Sequence, residues 1–217
     1  PNNNKALQNV KVRQAISEAI NRDNLIQDAN GPDVSPPLTH VLPFGVSGTT
    51  SNTSINLYKF DSAQAKKDLA AAGYPNGLDL KFLYRPASSL SAKMFTTLKQ
   101  DLSAAGINIT GVGVPNADFY TKYLEVPSVA QKGTWDISLA GWGADWYGDS
   151  ALSFFAPLFN GEPYVTMVDN EVITPVAAIP RVGRRLLLAP LDRDALTLLL
   201  GSNNCVRFFK IGRASGR

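Results

Sequence analysis

Two carboxylates in one short stretch, Asp145 and Asp149 in GWGADWYGDS (141–150), are the groups here best placed for chemistry. They lie among the aromatics Trp142, Trp146 and Tyr147 and the glycines Gly141 and Gly143. As metal ligands the pair is weak, because a closed zinc site needs histidine or cysteine donors in numbers. This chain has one of each, His40 and Cys205. A Ser-His-Asp or Cys-His arrangement would have to use His40, which sits in the proline-rich run PPLTHVLPFG. No glycine-rich phosphate loop of the required spacing occurs. The expectation is a protein without catalytic residues, resident metal or cofactor.

Composition narrows the class. The chain is 44% hydrophobic and 18% charged, which is the profile of a globular domain with a real core. Its densest apolar region, around 186–200, is broken by Pro190, Asp192, Arg193 and Asp194, so no continuous membrane span is expected. A lone cysteine permits no internal disulfide. The opening Pro1-Asn2-Asn3-Asn4 has neither an initiating Met nor a leader, which leaves a cytosolic protein or an internal piece of an exported one, and a start at proline favours the piece.

The net charge of +3 is unevenly placed. Residues 1–160 hold 13 Lys+Arg against 13 Asp+Glu, whereas residues 161–217 hold 8 against 5. Ten of the thirteen bases are lysine before that boundary, and seven of the eight are arginine after it. We therefore expect one domain over 1–160 and an atypical Arg-rich extension, partly unstructured or foreign, over 161–217. The extension lacks the density and aromatic interleaving of a nucleic-acid surface, so no nucleic-acid partner is expected.

The elements that must position the loop alternate in type. Val10 to Ile20 spaces Val12, Ala15, Ile16, Ala19 and Ile20 for one apolar helix face. Asp23 is expected to cap a short helix through Leu25 and Ile26. Pro32 to Thr53 reads as a long loop. Asp61 caps Ser62 to Ala72, which Gly73 ends. Leu78 to Tyr84 alternates as a strand, Ser88 to Ala105 is a helix stopped by Gly106, and Ile107 to Val114 is a second strand. A helix over Ala117–Leu124 capped by Asn116, a strand over Trp135–Trp142 and a helix over Ser150–Phe159 follow. Beyond these, a strand within Glu162–Ala178 and a helix over Asp192–Leu200 are expected. Strand–helix alternation of this kind predicts an α/β layer with crossover connections.

Four segments carry a resemblance. VKVRQAISEAINRDNLI, FDSAQAKKDLAAAGYPNGLDLKFLY, LKQDLSAAGINITGVGV and GTWDISLAGWGADW stand in the order and spacing of the second lobe of peptide, oligopeptide and nickel solute-binding proteins (family 5) of ABC importers. The resemblance covers roughly residues 8–160. It implies a periplasmic-binding-protein-like lobe with a mixed sheet flanked by helices, in a chain whose first lobe is missing. It also implies capture of a peptide or other small solute, partnership with the permease subunits, and an extracytoplasmic location. Any membrane attachment would come only through a lost lipid anchor or the permease. The same lobe serving as a ligand-sensing module of a transcriptional regulator is the alternative. GSNNCVRFF (201–209) resembles the asparagine-rich segment that follows this lobe helix in some members. An out-of-frame stretch before it would account for the change in composition.

By that resemblance, Asp145, the acid of the "GWxAD" motif, meets a ligand's α-amino group. The strand carrying Trp142, beside Asp145, pairs its main chain at Gly141 and Gly143 with an extended peptide; as aromatics of the same loop, Trp146 and Tyr147 could wall a side-chain pocket. The plainer alternatives are a helix-capping aspartate, glycines at a strand bulge and rings packed into the core. Leu139 stands where some oligopeptide binders carry a base for the ligand carboxylate, so their length preference is not carried over. Tyr147-Gly148-Asp149-Ser150 stands where members often have a proline. Arg85 could supply a positive group near the cleft, but the expectation is an exposed loop arginine.

Overall fold

The computed structural model describes residues 4–40, 42–43, 46, 58–143, 151 and 154, and the strands at 167–168, 171–172, 196–202 and 205–211. After a short turn at Lys5–Gln8, α1 (Val10–Glu18) and α2 (Arg22–Asp28) form, followed by α3 (Ser62–Ala71). Next come β1 (Leu78–Tyr84), α4 (Ser89–Ala104), β2 (Ile107–Gly113), a π-type helical turn at Phe119–Leu124, α5 (Pro127–Gln131) and β3 (Ile137–Gly143). A small hairpin, β4 (Met167–Val168) with β5 (Glu171–Val172), precedes β6 (Leu196–Ser202) and β7 (Cys205–Ile211).

The main sheet has the order β2-β1-β3-β7-β6 and is mixed, as expected. Its first three strands are parallel, β7 runs antiparallel to β3, and β6 is antiparallel to β7 in turn. β1 pairs with β2 along all seven residues, from Leu78↔Ile107 to Tyr84↔Gly113. That pairing starts where Gly77 and Gly106 meet: Gly77 has φ +91, and a Cβ there would run into the carbonyl of Gly106. The Leu78 N–H donates to that carbonyl at 3.0 Å.

Each face of the sheet is covered. Leu80 and Phe82 of β1, Ile107 and Ile109 of β2, and Ile137 and Leu139 of β3 pack under α1–α4. Fully burying side chains such as Val12, Ile16 and Leu98 in this layer stabilises by about 1.5–3 kcal/mol each. The Phe95 ring of α4 stacks on Tyr84 at 4.3 Å, fixing the helix over the carboxyl end of β1. Alternation sends Leu83 and Ala140 to the other face, where they meet Leu38, Phe119, Trp135 and Phe154.

Several local expectations need correction. The cap of α2 is Asn21, whose side chain accepts from the Asp23 N–H; Asp23 lies in the first turn. Asn21 already has the extended backbone a cap needs, so the helix starts two residues earlier than expected. Asn116 caps nothing: the helical turn begins at Phe119 after Asp118, without a side-chain capping bond. Of the helix expected over Asp192–Leu200, the described part, 196–200, belongs instead to the strand β6, paired with β7 from Leu196↔Lys210 to Ser202↔Cys205. A short apolar run suits either element, and pairing with a neighbour decides it. The helix expected over Ser150–Phe159 lies outside the described residues except at Ala151 and Phe154.

Candidate functional site

β3 is positioned by the residues that lead into it and by Ser138 within it. The Asp136 carboxylate accepts the Lys81 N–H at 2.8 Å and the Asn4 amide at 3.2 Å, and the Asp136 N–H donates to the Lys81 carbonyl at 2.9 Å. Trp135 is buried and its indole N–H donates to the Tyr123 carbonyl at 3.2 Å, tying the π-type turn to the strand. The buried Ser138 hydroxyl donates to the Leu83 carbonyl at 3.1 Å.

Above Ser138 the two strands part. β1 pairs with β3 only at Phe82↔Ile137 and Leu83↔Ser138. β3 then runs four residues past the end of β1, roughly 13 Å at about 3.3 Å per residue. The chain leaves β1 toward β2 on one side and returns to β3 on the other, so the gap between their carboxyl ends is a topological switch point. In open α/β sheets such a crevice is where ligands bind. A cavity of about 150 Å³ lies there, lined by Arg85, Ser88, Ser91, Leu139, Ala140 and Gly141, among others.

The turn after β1 is tightly built. The Arg85 N–H donates to the Ser91 hydroxyl at 3.1 Å, and Ser88 caps α4 through the Ser91 N–H. The Arg85 side chain is half-buried, with its guanidinium 4.8 Å from the Phe119 ring centre and 5.8 Å from that of Tyr120. This geometry is a cation–π contact, and it corrects the expectation of an exposed loop arginine. The buried Arg85 Nε has no hydrogen-bond partner among the described residues.

Tyr120 reaches the crevice-lining Gly141. Its hydroxyl donates to the Gly141 carbonyl and accepts the Gly141 N–H, each at 3.1 Å. The N–H and C=O of one strand residue point to the same side, so Gly141 faces away from β7, its antiparallel neighbour at Arg207. Gly143 has the same orientation, two residues on. Trp142 alternates to the other face and is partly buried against Phe119 and Trp135.

Three of the expected site residues, Gly141, Trp142 and Gly143, therefore stand together at the projecting end of β3. Asp145, Trp146 and Tyr147 lie outside the described residues. Sequence reasoning missed Tyr120 and the buried setting of Arg85. The position of Arg85 directly after a strand was a usable signal; nothing local marked Tyr120. Among the described residues no group of three or more His, Cys, Asp and Glu could hold a metal ion. Among them, too, no helix is long and apolar enough to cross a membrane.

Comparison with known proteins agrees with this architecture. The chain is 29% identical over 157 residues to heme-binding protein A of Haemophilus influenzae, an alignment covering 69% of this chain and 26% of that protein. It is 31% identical over 168 residues to the glutathione-binding protein GsiB of Escherichia coli, covering 76% and 31%. Among solved structures it resembles the periplasmic binding protein DppA of Helicobacter pylori in complex with the peptide STSA. The TM-score is 0.57 at 25% identity, with 71% of this chain and 28% of that chain covered. The substrate-binding protein CtaP of Listeria monocytogenes shares the fold over 97% of this chain and 43% of its own, with a TM-score of 0.63 at 15% identity. The chain thus spans between 26% and 31% of the length of these curated relatives, both of which are binding proteins. The description "Bacterial extracellular solute-binding proteins, family 5 Middle" matches residues 1–164, and the chain belongs to that family.

Proposed function

We propose that this chain supplies one wall of a cleft that captures a peptide or similar small solute outside the cytoplasm, in the periplasm or on a surface lipoprotein, for an ABC importer. The observation that carries this reading is the open crevice between the carboxyl ends of β1 and β3, lined in part by Gly141, with Trp142 and Gly143 next along the projecting strand. An extended main chain can pair with a strand that projects beyond its neighbour, and glycines let it approach closely. Asp145, two residues beyond Gly143, supplies the carboxylate for the ligand's amino group, and Trp146 and Tyr147 wall the adjoining pocket. Nothing in this arrangement needs a nucleophile or a general base; the work is binding, with handover to the permease subunits as the outcome.

The test is Asp145→Ala in the full-length protein, titrated calorimetrically with peptides bearing a free amine. Loss of a charge-assisted contact in a water-poor cleft should remove most of the affinity, roughly ten- to hundredfold. Unchanged affinity rejects the role given to Asp145.

A further inference from the structure

The crevice contains a residue that already imitates a ligand. Tyr120 gives Gly141 what a neighbouring strand would give it, one donor and one acceptor, both at 3.1 Å. β7 cannot supply these bonds, because Gly141 faces away from it, and β1 ends too early to do so. The Tyr120 ring is held in place by Phe119, edge-on at 4.9 Å, and by the Arg85 guanidinium. The phenol is therefore fixed against Gly141, one of the residues that line the crevice.

We infer that Tyr120 is a specificity-determining residue that ends the strand-pairing register of a bound peptide at Gly143, by occupying the next pairing position at Gly141. This inference rests on the peptide-capture reading above. Pairing positions on one edge of a strand recur every second residue, so one blocked position shortens the paired main chain by two residues. A peptide anchored by its amine near Asp145 and running down β3 meets Gly143 first and Tyr120 next. Short peptides keep all their main-chain bonds. Longer ones must displace the phenol or turn out of the strand.

The experiment compares di-alanine with tetra-alanine as ligands of the full-length protein, wild type and Tyr120→Phe. Removing the hydroxyl exposes two main-chain groups that only the longer peptide reaches. At about 1 kcal/mol for each bond gained, the tetra-alanine to di-alanine affinity ratio should rise about tenfold or more. Tyr120→Leu, which removes the ring's polar tip by another route, should move the ratio in the same direction. Amide exchange at Gly141 in ligand-free protein should speed up in both variants, and tetra-alanine should restore protection. If the wild type binds either peptide and the ratio stays unchanged in both variants, the register role is overturned while the capture reading stands. If the wild type binds neither peptide, the capture reading itself falls, and this inference with it.

Discussion

The two ends of the segment Trp135–Gly143 have opposite surroundings, although the sequence runs through them without a break. At the first end the polar groups have partners on β1, on the π-type turn or on the N-terminal segment: Asp136 on Lys81 and Asn4, Trp135 on Tyr123, Ser138 on Leu83. At the second end the neighbouring strand is gone, and a tyrosine hydroxyl replaces it at Gly141. The lesson is that a parallel sheet need not carry a pocket in its strands to make a site. It is enough that one strand outruns its neighbour, because the main chain left over is a ready recognition surface.

The two tryptophans offer the hardest way to break this comparison. Trp135 is 1% exposed, so Trp135→Ala leaves a large void and should cost about 3–5 kcal/mol in urea unfolding. Trp142 is only partly buried, and Trp142→Ala should cost less, about 1–2 kcal/mol from lost burial, while weakening ligand binding in the full-length protein. Equal stability losses would erase the distinction between an anchoring end and an open end. Next in size is Asp136→Ala. It strips the acceptor from the Lys81 N–H and the Asn4 amide, which should cost about 1–3 kcal/mol. Hydrogen exchange at Lys81 should accelerate in that variant; if it does not, the carboxylate is not what staples β3 to β1.

What could be read in advance follows the range of the forces involved. β1 was legible to the residue, because Leu78, Leu80, Phe82 and Tyr84 alternate and all turn to the α1–α4 layer. The cap at Asp61 was legible too, since capping is settled within three residues. Asn21 was missed because Asp23, two positions on, has equally suitable chemistry, and only the backbone conformation separates them. β6 was read as a helix because a leucine-rich run has no period of its own, and its partner β7 determines its form. Near the crevice, the glycines and Trp142 were singled out through the motif they belong to, and the structure puts them at the end of β3. Arg85 and Tyr120 were not, because their meeting depends on how β1 and the π-type turn cross at the sheet's end. That crossing is a tertiary fact with no local signature.

The smallest expected effect lies away from both ends of β3 and sharpens the comparison as a control. Glu18, at the end of α1, is held above the ordinary glutamate range, first by burial, then by the charge and hydrogen bond of Asp68, then by Asp61. A carboxyl with a raised value binds its proton more tightly folded than unfolded. Stability therefore falls as pH rises from the ordinary value through the folded one, and the penalty is fully present above the latter. Glu18→Gln removes the charge while keeping a partner for Asp68. It should raise the melting temperature slightly at pH 7–8, and the advantage over wild type should fade as pH falls through the folded value of Glu18 toward the ordinary one. Solvent screening keeps the gain small, and added salt should shrink it further. The peptide-length ratio should not move, because α1 has no place in the crevice. If Glu18→Gln altered that ratio, the helical layer would be part of the recognition surface, and the division drawn along β3 would be too narrow.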